Sequence, residues 1–416
     1  MVKADSDKYK NMLKEVRKLC EKLNDIIDDD IVIRILTKCQ ESVIVIGESL
    51  EKIERANEKE VLKKLQTVNK LEQLCELLYQ YSQKMERNIR KEIIRIIDNI
   101  ICDIDTIPRT YRVTFLPYKA AMWDSLESIW REFAASDECE TSVVPIPYFE
   151  ANRKTNQWDT CYEGNKYPDY VPVVNFQDYL LGQKRPDLVF VHNPFDQFNN
   201  VTTVHPAYYS AELKKSCEKL VYVPYYVNPG FISDDYNELP LLYRSDYIIV
   251  QSEKAKETCK DFPYYNRVLA LGSPKFDKVV NLYNEKVAPP EEWNINLDGK
   301  KCILLNTTLT DFLESGELLM NKLYKMFEIA LDRNDIVIVW RPHPLLKGTV
   351  KAMRPQYIEK YDELVQYFID NKVGVYDTTA DVSRAVAVSD AYVGSHYSSI
   401  IALFEVINKP IFRIDS

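Results

Sequence analysis

The stretch SDAYVGSHYSSIIALFEVINKP, Ser389–Pro410, decides the fold. Apolar Ala391, Tyr392 and Val393 predict a short strand, Gly394 opens a polar loop through Ser395, His396, Tyr397, Ser398 and Ser399, and the apolar run from Ile400 predicts a helix. Strand, polar turn and helix N-terminus in that order make a seat for phosphate. The first-turn N–H groups lack intrahelical partners, and that end of the helix dipole is positive. A plain serine cap accounts for one serine, but not for a histidine and two serines together.

Working outward, the same alternation fills the C-terminal part of the chain. Strands are predicted at Lys301–Asn306, Ile336–Trp340, Gly374–Tyr376, Ala391–Val393 and Ile411–Arg413, with helices at Glu317–Arg333, Pro355–Asn371, Val382–Val388 and Ser399–Ile407. An earlier series runs from the Tyr111–Leu116 strand through the Ala120–Phe133 helix to strands at Thr141–Ile146, Asp187–His192, Leu220–Val223, Asp246–Val250 and Arg267–Leu271. Near-continuous apolar strands alternating with helices imply doubly wound parallel sheets. The fold class is therefore α/β, with two Rossmann-like parallel-sheet domains, residues 106–272 and 273–416, and a ligand cleft at the carboxyl ends of their strands. The Tyr-rich stretch Tyr148–Tyr179 lacks periodicity and is expected as a loop over the cleft.

Residues 1–105 differ in kind. From Ser6 to about Cys102 there is no proline and a single glycine, Gly47, and apolar residues recur at helical spacing, as in Leu13, Val16, Leu19 and Leu23. Three or four helices in a hairpin or bundle are expected. The run Asp28–Asp30 reads as a turn between helices, and the basic stretch Lys84–Arg95, interrupted by Glu86 and Glu92, as a solvated face.

Of the 416 residues, 54 are Lys or Arg and 63 Asp or Glu, a net charge of −9 that argues against an extended nucleic-acid face. The nine cysteines are scattered, with no C-x-x-C pair and no Cys/His cluster of zinc spacing, so free thiols and no metal are expected. Neither a signal peptide nor a spanning apolar run is read, which points to the cytoplasm and leaves the inner face of the membrane open. A Walker loop and a G-x-G-x-x-G are both missing, which argues against an ATPase or a nicotinamide enzyme.

Three motifs, LGSPKFD (Leu271–Asp277), RPHP (Arg341–Pro344) and SDAYVGSHYSS (Ser389–Ser399), each follow a predicted strand. In that order they resemble the CDP-glycerol glycerophosphotransferase family, makers of teichoic-acid-like polymers on a GT-B fold. The resemblance covers about residues 110–416. It implies a CDP-linked nucleotide-diphosphate donor as substrate, a polyol or glycan acceptor and no required cofactor. It further implies that His343 lies near the donor pyrophosphate beside Arg341, that Ser398 and Ser399 hold donor phosphate, and that Lys275 occupies a basic position. Ser273, Thr307 and His396 complete the donor-side set. The chain departs from the family at Val221–Asn228, VYVPYYVN, where a W-H-G-T motif with a histidine is usual, and at the loop before the paired serines, where an acidic residue is usual.

His192, at a strand end in DLVFVHNPFD, is the expected replacement base, a buried histidine bonded to a neighbouring loop being the competing reading. Lys119 is expected on the acceptor side. Asn306, Thr307 and Thr308 offer donors to the cleft or, equally, a turn and helix cap. The leading expectation is a transferase acting on a hydroxyl of a cell-surface polymer precursor. A UDP-sugar glycosyltransferase or epimerase, or a non-catalytic nucleotide-binding or scaffolding protein, are the alternatives. Peripheral membrane association and self-association through the N-terminal helices are further expectations. In this architecture a helix normally follows the last strand and crosses back. The sequence is expected to stop short of it at Asp415 and Ser416, the helix being supplied differently or cut away.

Overall fold

The structure is a computed structural model that describes residues 1, 3–23, 28–52, 58–107, 110–152, 155–228, 234–295, 297, 299–379 and 381–414. Asp415 and Ser416 lie outside the described residues.

Four helices come first: α1 (Lys3–Lys22), α2 (Asp29–Glu51), α3 (Glu58–Lys84) and α4 (Arg87–Thr106). Asp28, from the acidic run, caps α2 by accepting the N–H groups of Asp30 and Ile31 at 2.9 and 3.3 Å. Val32, Leu36, Cys39, Val43, Ile46 and Leu50 line one face of α2 and are all buried, in one core with Leu13, Val16, Leu74 and Ile97 from the other three helices. Each such aliphatic side chain contributes about 1.5–3 kcal/mol on leaving water, so the bundle has a core of its own.

The first parallel sheet uses β1 (Tyr111–Leu116), β2 (Cys139–Val143), β5 (Leu188–Val191), β7 (Lys219–Tyr222), β8 (Tyr247–Val250) and β9 (Val268–Ala270), in the order β2-β1-β5-β7-β8-β9. A 3-10 helix (Ala120–Ser125) and α5 (Glu127–Ala135) replace the single helix expected after β1. Short helices α6 (Leu181–Lys184), α7 (Ser210–Ser216), α8 (Asp234–Asn237), α9 (Pro240–Arg244) and α10 (Glu253–Glu257) fill the connections. The stretch expected as a loop over the cleft instead contains β3 (Tyr148–Asn152) and β4 (Gln157–Cys161), which join β6 (Thr202–Val204) in an antiparallel sheet.

Helix α11 (Pro274–Asn284) leads to the second parallel sheet, made of β10 (Lys301–Thr307), β11 (Ile336–Pro342), β12 (Gly374–Tyr376), β13 (Ala391–Gly394) and β14 (Ile411–Arg413) in the order β12-β11-β10-β13-β14. Its helices are α12 (Leu309–Leu331), α13 (Leu346–Met353), α14 (Ile358–Asp370), α15 (Val382–Val388) and α16 (Ile400–Val406). One core, around Leu304, Tyr392 and Phe404, lies on one face, and another, around Phe312, Trp340 and Phe368, on the other. That two-sided burial is why the strands read as continuous apolar runs. Among the described residues, no helix is long and apolar enough to cross a membrane.

Candidate functional site

Counted in sequence, the strands of the second sheet lie in the order 3-2-1-4-5, so the winding reverses between β10 and β13. At such a reversal the loops leaving the two carboxyl ends part company and leave a crevice. Thr308 leaves β10 and Ser395 leaves β13, with their hydroxyl oxygens 3.2 Å apart. Asp311 ties them together. Its carboxylate, 3% exposed, accepts the Thr308 hydroxyl at 2.7 Å, the Thr308 N–H at 3.2 Å and the Ser395 hydroxyl at 2.8 Å. Thr308 and Asp311 form the capping box that starts α12. The cap is thus the role of Thr308. Asp311 was missed in the sequence, although a T-x-x-D pattern after a strand is its signal.

Gly394 lets the second loop leave this close to β10. Its φ is +154°, and a Cβ there would stand 2.2 Å from the Asn306 carbonyl oxygen. Beyond it Ser398 is buried just ahead of α16, its hydroxyl accepting Ile400 N–H at 3.2 Å and its carbonyl accepting Ile401 N–H at 3.3 Å. The Ser399 side chain is exposed. His396 is half-buried against Tyr397, with ring centroids 3.7 Å apart, and its Nδ1 is buried with no hydrogen-bond partner.

His343 joins the same edge from β11, its N–H donating to the Thr307 carbonyl at 2.9 Å. Its Nδ1 accepts the Leu345 N–H at 3.1 Å, so the neutral ring carries its proton on Nε2. Burial pushes the imidazolium pKa down, which favours that neutral form. His343 lines a cavity of about 200 Å³ with Arg341, Lys347 and Thr379.

Arg341 is occupied. Its guanidinium pairs with Asp377, which is fully buried at the side chain, and donates to the Thr379 carbonyl at 2.7 Å and hydroxyl at 3.2 Å. Asp377 also accepts the Trp293 indole N–H at 3.0 Å. Arg341 therefore clasps the loop after β12, with its charge already balanced. The Thr307 hydroxyl faces the core, where it accepts the Trp340 indole N–H at 3.3 Å.

The other sequence candidates lie apart from this crevice. Ser273 caps α11, and the Lys275 ammonium grips both oxygens of Asp124 in the first sheet unit, at 2.8 and 2.7 Å. Lys119 pairs with Glu150 at 3.2 Å and lies 5.1 Å from the centre of the Tyr148 ring. His192 sits at the reversal point of the first sheet, fully buried. Its Nε2 accepts the Tyr118 N–H at 3.1 Å and its Nδ1 lies 2.9 Å from the Ser125 hydroxyl, which donates to the Met122 carbonyl at 2.7 Å. Burial pushes its pKa down to about 3. The ring is a neutral strut between β5 and the turn after β1. Among the described residues, no three His, Cys, Asp or Glu side chains are grouped to hold a metal.

Two successive parallel sheets behind a helical segment, with the reversal crevice of the second at its carboxyl edge, define a protein of the GT-B class. Residues 227–414 match the family model described as CDP-glycerol:poly(glycerophosphate) glycerophosphotransferase, so the resemblance drawn from the three motifs holds over that range. No curated protein matches the chain. Solved structures similar to it include the wall teichoic acid polymerase TagF, at 16% identity, covering 84% of this chain and 78% of that one with a TM-score of 0.44. They also include the UDP co-structure of Staphylococcus aureus MnaA (13%, 74% and 80%, 0.43) and the UDP-GlcNAc 2-epimerase of Neisseria meningitidis bound to UDP-GlcNAc (14%, 73% and 83%, 0.44).

Proposed function

We propose that this chain is a transferase that takes a nucleotide-diphosphate donor, first of all a CDP-alcohol, and moves its phospho-alcohol or glycosyl group to a hydroxyl of a cell-surface polymer precursor. The supporting observation is the coincidence of two things. The stretch that matches the glycerophosphotransferase family contains the second sheet, and at the reversal of that sheet Thr308 meets Ser395 at the start of the Ser395–Ser399 loop, with His343 at the end of the neighbouring strand β11. In this reading the neutral His343 donates its Nε2 proton in a hydrogen bond to a donor phosphate oxygen. The orphaned His396 and the exposed Ser399 hydroxyl flank the same group. Arg341 acts through the loop it clasps. Fixed donors aimed at the oxygen where charge gathers as the nucleotide departs are the usual main source of rate in such transfers.

A second reading has its own observation. His192 is sealed in the interior and Val221–Asn228 has no histidine, so the first sheet unit presents none of the expected bases to a substrate. A nucleotide-binding protein without turnover fits that fact. Release of CMP from CDP-glycerol, followed with a polyol acceptor present, separates the two. Steady release that falls at least about tenfold in His343→Ala supports the transferase. Nucleotide binding with no release above background supports the alternative.

A further inference from the structure

Helix α2 has two stripes. Its buried residues face the bundle core, while Ile33, Thr37, Glu41, Ile44 and Glu48, at spacings of three and four, lie exposed on the opposite side, with Val45 beside Ile44. On α3, residues 61–66 include no buried side chain, and Val61, Leu62 and Leu65 are 47%, 56% and 52% exposed. The Gln40 amide donates to the Cys75 carbonyl at 3.0 Å and the Lys64 ammonium to the Glu51 carbonyl at 3.2 Å. Helix α3 therefore runs antiparallel to α2, and its apolar start lies beside the last turns of α2.

The other half of the bundle is different. Among the described residues, Leu19 is the one large apolar side chain exposed on α1 and α4. Single exposed apolar residues are ordinary, but a group of them on two neighbouring helices marks a surface that another molecule covers.

Gly47 is a second, separate sign. It lies one turn beyond Ile44 inside α2, where glycine weakens a helix. Nothing in the chain requires it, since a Cβ added there would stand in open space. The gap beside Ile44 admits the backbone of an incoming helix.

Charge says which helix comes in. Arg34 and Lys38 are exposed in the first half of α2, Glu41 and Glu48 in the second, and none of the four is in an ion pair among the described residues. Turned end for end, α2 is complementary to itself, as a two-fold interface requires.

We infer that the α2–α3 face of the bundle docks a second copy of this chain, with the two α2 helices antiparallel about a two-fold axis and the basic half of each against the acidic half of the other. The apolar side chains supply the affinity, and the charges select the antiparallel orientation. The surface lies on the helical bundle, outside both sheet units, so the inference does not depend on the transferase reading.

Sedimentation velocity of the full chain tests it. The parent is expected at twice the mass of one chain. Ile44→Glu and Leu65→Glu should each weaken the dimer at least about a hundredfold, because each leaves a carboxylate in an apolar contact without a partner. Arg34→Glu should weaken it about tenfold, and Arg34→Glu with Glu48→Arg on the same chain should restore it, since the inverted pattern is again complementary to itself. All four residues are exposed, so helix content by circular dichroism should stay that of the parent. A parent still monomeric at about 100 µM, a dimer indifferent to Ile44→Glu and Leu65→Glu, or a double reversal no better than Arg34→Glu alone would each overturn the inference. So would a face that serves a membrane instead, seen as binding to vesicles of phosphatidylcholine and phosphatidylglycerol that Ile44→Glu and Leu65→Glu abolish.

Discussion

Two buried ionisable residues, His192 and Asp377, each yield a prediction. His192 has a folded pKa of about 3 against an ordinary value of 6.5. Below 6.5 the unfolded chain takes up a proton that the folded chain refuses. The contribution is therefore whole above about pH 6.5 and is lost progressively as pH falls towards 3. The slope is about 1.4 kcal/mol per pH unit. Chemical denaturation across that interval should show a pH slope smaller by about that amount in His192→Asn than in the parent, and the variant should also be less stable at neutral pH. Asp377, for its part, forms a buried pair with the Arg341 guanidinium. Asp377→Ala leaves a guanidinium buried without its partner and should cost about 3–5 kcal/mol by the same measurement. The Arg341→Met, Asp377→Leu double variant should recover much of that loss.

At the scale of elements, the bundle and both sheets were legible, because long helical stripes and two-sided strands carry their period in the sequence. What escaped has identifiable causes. Helix α12 was expected from Glu317 and begins at Leu309, because the chain kinks at Ser315, with φ −139° and ψ 37°, and the pattern breaks there. Helix α11 was not read because Pro274 looks like a breaker, although it sits in the first turn, where proline costs nothing. β4 has no buried face to alternate with, so it left no strand signal. In the site, the loop sequence was legible and its wiring was not. Which partner claims Arg341 depends on Asp377, a residue 36 positions away. The capping box makes the strongest prediction at this scale. Asp311→Ala removes the N-cap partner of α12 and the anchor of Ser395, and should cost about 1–2 kcal/mol while loosening the β13 loop, seen as faster amide exchange at Tyr397.

Across the whole molecule, α11 is the joint. Its N-terminal end is pinned to the first sheet unit by Lys275–Asp124 and by Ser128–Asp277, and its body packs on α15 and α16 of the second. The Lys275 and Asp124 side chains are only 16% and 11% exposed, so the pair is little screened by solvent. A double-mutant cycle on Lys275→Ala and Asp124→Ala should give a coupling of about 1–3 kcal/mol, and a value near zero would mean that this pair does not help to hold the units together. The central claim concerns the other edge of the second sheet, where β10, β11 and β13 deliver Thr308, His343 and Ser395–Ser399. Calorimetric titration with CDP-glycerol of the parent and of His343→Ala tests it most directly. The account predicts saturable binding in the parent, weakened about tenfold in the variant. Equal affinity in the two proteins, or no heat from any cytidine or uridine nucleotide, would contradict it.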